Sequence, residues 1–249
     1  MQLALFDPAH QTANGARIHH TATPRTYTSD APKLLDLYCC QGGATRGYQL
    51  AGFDVTGVDR DPQPRYCGNA FHQADALAFL RANMNWIRSE FAAVSASPPC
   101  QKFTNAQRIQ GREHPDLIAP TRDLLIELGL PYVIENVEGA PLRNPVTLCG
   151  TTFGLRTYRH RLFETGNGFT LAPLAHTPHD RPVVKMGRPL RTGDYYHAVG
   201  NFSNVPYVRA DMGMSWASRD GLREAVPPAY TAFIGDALLT QLPALTTAA

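Results

Sequence analysis

Apolar runs alternate with amphipathic stretches along most of the chain. "KLLDLYC" (33–39) is apolar at nearly every position and ends just before a pair of glycines, which predicts a buried strand. "ATRGYQLAGF" (44–53) reads as a short helix, "DVTGVD" (54–59) as a second strand and "ADALAFLRA" (74–82) as a helix. "FAAVSAS" (91–97) predicts a strand, "LIAPTRDLLIELG" (117–129) a helix and "PYVIEN" (131–136) another strand. Strands apolar on both faces, alternating with helices, predict an α/β fold with a doubly wound, mostly parallel sheet. "PPAYTAFIGDALLTQL" (227–242) predicts a closing helix with Pro227 and Pro228 at its start. Residues 1–31 are rich in Thr, Ala and His without a period and read as a mobile arm. Residues 165–212 hold many Pro, Gly, Tyr and His and read as irregular. The expected organisation is an arm (1–31), a core (32–164), a small irregular region (165–212) and a C-terminal segment returning to the core (213–249).

Composition narrows this picture only modestly. The 249 residues suit one domain and a real core. A net charge of +2 permits a nucleic-acid partner without arguing for one. The five cysteines (39, 40, 67, 100 and 149) are odd in number and form no disulfide framework. No run of about 18 apolar residues exists and no signal peptide is evident, so no membrane is expected and the expected setting is cytoplasmic.

Cys39 and Cys40 invite a metal or redox reading. A closed zinc site needs about four ligands, usually in spaced pairs, and a redox pair needs Cys-x-x-Cys spacing. Neither pattern occurs here, and no metal is expected. The two cysteines read better as lining residues of a strand–loop–helix turn, where Gly42 and Gly43 let a ligand approach the backbone. Asp59 ends the next strand, where an acid commonly holds ribose hydroxyls, and Asp75 could hold an adenine amino group. The plainer role for Asp59 is a helix N-cap. These features suit any adenosine-containing cofactor.

"ASPPCQKF" (96–103) carries more chemistry. Pro98 and Pro99 stiffen the backbone before Cys100 at the carboxyl end of a strand, the edge where open α/β sheets bind ligands. A thiol there becomes a nucleophile if its pKa is lowered, although most cysteines are inert and buried. Glu135 ends "PYVIE" at the same edge. Arg159 and Arg161, two apart in "RTYRHRLFET", share a face if that stretch is a strand. Farther on, Arg181, Lys185, Arg188 and Arg191 interleave with Tyr195, Tyr196 and Tyr207, either as contacts to phosphates and unstacked bases or as a solvated loop.

The order of glycine loop, Pro-Pro-Cys-Gln, Glu-Asn-Val and Arg-x-Arg resembles the cytosine-C5 DNA methyltransferases over residues 33–163, and "REAVPPAYTAFIGDAL" resembles their last motif. The resemblance implies the Rossmann-like methyltransferase fold and S-adenosylmethionine as cofactor. It implies that Cys100 attacks C6 of a flipped cytosine, that Glu135 holds a proton against N3, and that Arg161, helped by Arg159, binds the base carbonyl or a phosphate. Tyr38, Cys39, Gln41, Gly42, Gly43, Asp59, Asp75, Pro98 and Glu224 would then border the cofactor. Gln101 and the four basic residues of 165–212 would contact DNA. With so short a recognition region, a target of about two to four bases is expected. A monomer is expected, of the kind a phage or a solitary modification system encodes.

Three positions depart from the family pattern. Cys40 stands where glycine is usual, Thr157 where glutamine is common, and Arg223-Glu224 where Gly-Asn is usual. The last leaves open a donor carrying a carboxylate, as in carboxylated S-adenosylmethionine. RNA as substrate also fits these motifs, because it needs the same thiol and the same flipped base. An inactive module that only binds cofactor or DNA fits less well, because Cys100, Glu135 and Arg161 are all present.

Overall fold

A computed structural model describes residues 9–11, 17–19, 30–99, 116–185 and 187–247. Cys100 and Gln101 lie outside the described residues, as does most of the arm. Within the arm, β1 (Ala9–Gln11) and β2 (Arg17–His19) pair antiparallel.

A seven-stranded sheet organises the rest. Its first strands are β3 (Lys33–Leu37), β4 (Asp54–Asp59), β5 (Ala70–Gln73), β6 (Ala93–Ala96) and β7 (Tyr132–Asn136). Then come β8 (Val146–Leu148) and β9 (Arg161–Gly166). The spatial order is β5-β4-β3-β6-β7-β9-β8. The first five are parallel, and β9 runs antiparallel to both its neighbours. The helices are α1 (Gly43–Ala51), α2 (Ala76–Glu90), α3 (Ile118–Leu128), α4 (Val205–Met212), α5 (Arg219–Glu224) and α6 (Pro228–Thr247).

Strand periodicity divides the core into two layers. Leu34, Val55 and Val133 pack on the side that holds α1 and α6. Leu35, Leu37, Val94 and Ile134 pack on the side of α2 and α3. Both faces are covered, which is why these strands read as continuous apolar runs. The α1–α6 contact is close at Gly47, where a β-carbon would collide with Thr231 Oγ1. Thr231 also donates to the Ala44 carbonyl at 2.8 Å, so the C-terminal segment returns onto the first helix.

The segment 165–212 is more ordered than its composition suggests. It contains α4, and Leu190, Tyr196, Phe202 and Tyr207 form a third apolar cluster with Met212, Met214 and Leu222. Tyr196 donates to Asp211 at 2.7 Å and Tyr207 to the Asp194 carbonyl at 2.9 Å. Both rings are buried, so they serve this core and are not free for base stacking. Its apolar positions are too widely scattered to show a period. β5, β8 and β9 are short or strongly polar, and their strand character comes from pairing rather than from local pattern.

Candidate functional site

The chain reverses direction across the sheet at β3, which has β4 on one side and β6 on the other. Such a switch point leaves a crevice at the carboxyl ends of the strands. A cavity of about 300 Å³ lies there, bordered by the loops after β3, β4, β6 and β7 and by the segment 221–226.

The loop after β3 is tightly wound. Tyr38 (φ 59°), Cys40 (φ 46°) and Gly42 (φ 85°) all adopt left-handed backbone, which costs little at Gly42 but strains the other two. Gly42 caps α1. Asp59 ties the loop to β4, its two oxygens accepting from the backbone N–H groups of Cys40 and Asp61, each at 2.9 Å. The helix-capping role expected of Asp59 falls instead on Asp75, which accepts from the Ala78 N–H at 2.9 Å while bordering the cavity. Gln41 also borders the cavity, but its amide is engaged by Ser218, donating to the hydroxyl and accepting from the N–H at 2.8 Å each. Tyr38 bonds Thr121 at 2.9 Å.

Cys39 and Cys40 line this loop. Burial, reinforced by nearby carboxylates, raises both thiols far above their ordinary range. Neither is a thiolate at neutral pH, so neither is an activated nucleophile.

Asp36 is a cavity residue that sequence pattern does not reveal. It looks like one polar interruption of a strand, yet it is fully buried. Its Oδ2 accepts from Thr45 at 2.6 Å, and Oδ1 has no hydrogen-bond partner among the described residues. Burial pushes its pKa up to about 7, against the lowering effect of Thr45. The apolar setting is what its neighbours Leu35 and Leu37 could have hinted at.

Across the cavity, Glu135 at the end of β7 meets Arg161 at the start of β9, with Nε to Oε1 at 2.9 Å. Burial raises the Glu135 pKa; Arg161, Arg159 and the Ser97 hydroxyl oppose the rise. Asn136 donates to the Pro98 carbonyl at 2.9 Å and so pins the Pro98–Pro99 loop to β7. Pro98, Pro99, Glu135 and Arg161 therefore share one cavity with the glycine loop.

Arg159 faces elsewhere. It donates to the carbonyls of Ala225, at 2.9 Å, and of Arg223, and more weakly to Ala198 at 3.4 Å. Tyr230 donates to the Arg159 carbonyl at 2.6 Å. Burial, with Arg161 nearby, lowers its pKa to about 9. Its geometry is that of a staple between β9 and the C-terminal segment. Arg223 and Glu224 end α5 rather than start a helix. Arg223 borders the cavity and pairs with Asp220 at 2.5 Å. Glu224 reaches the Cys40 thiol, and burial raises its pKa. Thr157 is buried and bridged to Tyr196, and its hydroxyl has no hydrogen-bond partner among the described residues. Arg181, Lys185, Arg188 and Arg191 are all exposed.

The overall fold is similar to that of solved structures. A protein assigned as a DNA modification methyltransferase encoded within an E. coli prophage superposes with a TM-score of 0.56 at 15% identity, covering 86% of this chain and 100% of that one. The mixed α/β fold with its mostly parallel sheet agrees with the doubly wound expectation. The Entamoeba histolytica methyltransferase EhMeth superposes with a TM-score of 0.55 at 12% identity, covering 85% of this chain and 99% of that one. No protein-family model and no curated protein sequence matches the chain. Among the described residues, no helix is long and apolar enough to cross a membrane.

Proposed function

We propose that this protein transfers a methyl group from S-adenosylmethionine to C5 of a flipped-out cytosine in DNA, through a covalent adduct with Cys100. The observation that carries this reading is the pairing of buried Glu135 with half-buried Arg161, facing the cavity that Pro98 and Pro99 border immediately before Cys100.

The cavity suits the cofactor. Asp36 Oδ1, buried in its wall without a partner among the described residues, would accept from an ammonium such as the cofactor's amino group. Asp59 and Asp75 would hold ribose hydroxyls and adenine, with Tyr38, Cys39, Gly43 and Pro98 lining the space; Gly42 caps α1 and does not border it. When bound, S-adenosylmethionine supplies the electrophilic methyl group that C5 takes up.

The protein's own groups activate the base. Cys100 thiolate adds to C6, which makes C5 enamine-like. Glu135, with its pKa raised by burial, holds a proton at N3 and takes up the developing negative charge. Arg161 orients Glu135 and presents its remaining N–H groups to the base. Loss of the C5 proton then expels Cys100. The exposed Arg181, Lys185, Arg188 and Arg191 supply cations for phosphates.

DNA containing 5-fluorocytosine tests the reading, because fluorine at C5 blocks the final elimination. The wild-type protein is expected to be trapped on such DNA and Cys100→Ser to escape, while Cys39→Ser remains trapped. Trapping that survives Cys100→Ser overturns the assignment. Matched DNA and RNA substrates separate the two polymers. The mass of the modified nucleoside reports the donor: 5-methylcytosine supports ordinary S-adenosylmethionine, and a heavier acidic cytosine that vanishes in Arg223→Ala supports a carboxylated one.

A further inference from the structure

We propose that this protein binds a zinc ion through Cys149, His160, His176 and His179. The site is separate from the cavity described above, and none of these residues borders it. One ligand atom from each of the four lies within 4.8 Å of all the others. Cys149 Sγ is 3.3 Å from His179 Nε2, and His160 Nε2 is 3.0 Å from His176 Nε2. Tetrahedral zinc, with bonds of about 2.3 Å to sulfur and 2.0–2.1 Å to nitrogen, puts neighbouring ligand atoms about 3.3–3.6 Å apart. These two spacings lie close to that range, and no spacing in the set exceeds 4.8 Å. A set of one sulfur and three imidazole nitrogens suits zinc rather than magnesium or calcium.

The surroundings support the ligands. His160 Nδ1 lies 3.2 Å from Glu138 Oε1. A carboxylate behind a ligand histidine keeps the proton on Nδ1 and leaves the Nε2 lone pair for the metal. The Tyr158 ring stacks on His179, with centroids 3.8 Å apart and an interplanar angle of 16°. The Tyr158 hydroxyl in turn donates to the Arg181 carbonyl at 2.7 Å and accepts from the Arg181 N–H at 3.0 Å. Cys149 Sγ also has Thr151 Oγ1 at 3.2 Å and the Tyr158 carbonyl at 3.7 Å. Cys149 is buried, His160 half-buried and the other two exposed, which gives the metal a way in.

Four protein ligands leave no open position, so the zinc is structural. It joins the end of β8, the start of β9 and the segment carrying Arg181 and Lys185. The exposed basic residues are thereby held against the strand that supplies Arg161. Sequence spacing conceals the site: His176-x-x-His179 is a recognisable pair, but its partners lie 16 and 27 positions upstream of His176, in elements that only the fold brings together.

Metal analysis of untagged protein tests the proposal. About one zinc per chain is expected, and removing it with a strong chelator should lower the melting temperature, with recovery on adding zinc. His176→Ala/His179→Ala, on exposed positions, should lose the metal while keeping the circular dichroism of the sheet. Glu138→Gln should weaken zinc binding by about 10–100-fold without abolishing it. Cobalt-loaded protein should show a sulfur-to-metal charge-transfer absorption that Cys149→Ser removes. Zinc below about 0.1 per chain after incubation with excess zinc, or equal zinc in wild type and the double histidine variant, overturns the proposal.

Discussion

Two glutamates on adjacent rungs of the β7–β9 ladder each meet an arginine and behave in opposite ways. Glu135 and Arg161 face the cavity, joined by one contact at 2.9 Å, and the Glu135 pKa is raised. Glu164, opposite Ile134, faces the α3 side and receives Arg122 through two bonds of 2.6 and 2.7 Å. The Arg143 N–H adds a third donor at 2.7 Å. Burial alone would raise the Glu164 pKa, but these donors outweigh it and lower the pKa. Both carboxylates are buried and both have an arginine; Glu164 receives more hydrogen bonds, which favour its charged form, while burial prevails at Glu135. The fully satisfied pair holds α3 to β9; at Glu135 burial outweighs its partners and raises the pKa.

Removing each charge should separate the two roles. Glu135→Gln is expected to lower methyl transfer by about 10²–10⁴-fold, mainly in kcat, with little change in stability. Arg122→Ala should instead destabilise by about 3–5 kcal/mol in denaturant titration, because it strands a buried carboxylate. An Arg122→Met/Glu164→Leu double variant should recover much of that loss. A large fall in activity from the double variant at full stability would erase the distinction.

pH sharpens the same contrast. If protonated Glu135 is the active form, the rate falls as pH rises through its raised pKa. Arg161 opposes protonation, so Arg161→Met should move that alkaline limb to higher pH as well as slow the reaction. In stability the two sites have opposite slopes. Glu164, with its lowered pKa, contributes stability at neutral pH that is lost in acid. Asp36 binds a proton in the folded state up to about pH 7, but only below its ordinary 3.8 when unfolded. Its contribution is complete below about pH 4 and is lost as pH rises towards about 7. Asp36→Asn should flatten that part of the stability curve measured without cofactor.

The smallest effect is expected at the strained loop. Cys40→Gly removes a side chain from left-handed backbone, a gain of about 1 kcal/mol that the added freedom of the unfolded chain partly offsets. Cys39 and Cys40 should also resist alkylation at pH 8 in the native state, given their raised pKa values.

The sequence by itself determined the alternating strands and helices from β3 to β7, β5 apart, and the residues that end at the carboxyl edge of the sheet. Hydrophobic period, proline and glycine act over a few neighbouring positions, so they can be read in order along the chain. The same local logic located Glu135, Arg161 and the Pro98–Pro99 turn. Tertiary structure alone decided which cations meet which carboxylates. It turned Arg159 towards the backbone of Ala225 and Arg223, buried Tyr196 and Tyr207 in a core of their own, and left Asp36 Oδ1 at the cavity wall without a partner among the described residues. It also gathered Cys149, His160, His176 and His179 within one ligand sphere. Burial and donor count depend on distant segments, and no local pattern encodes them.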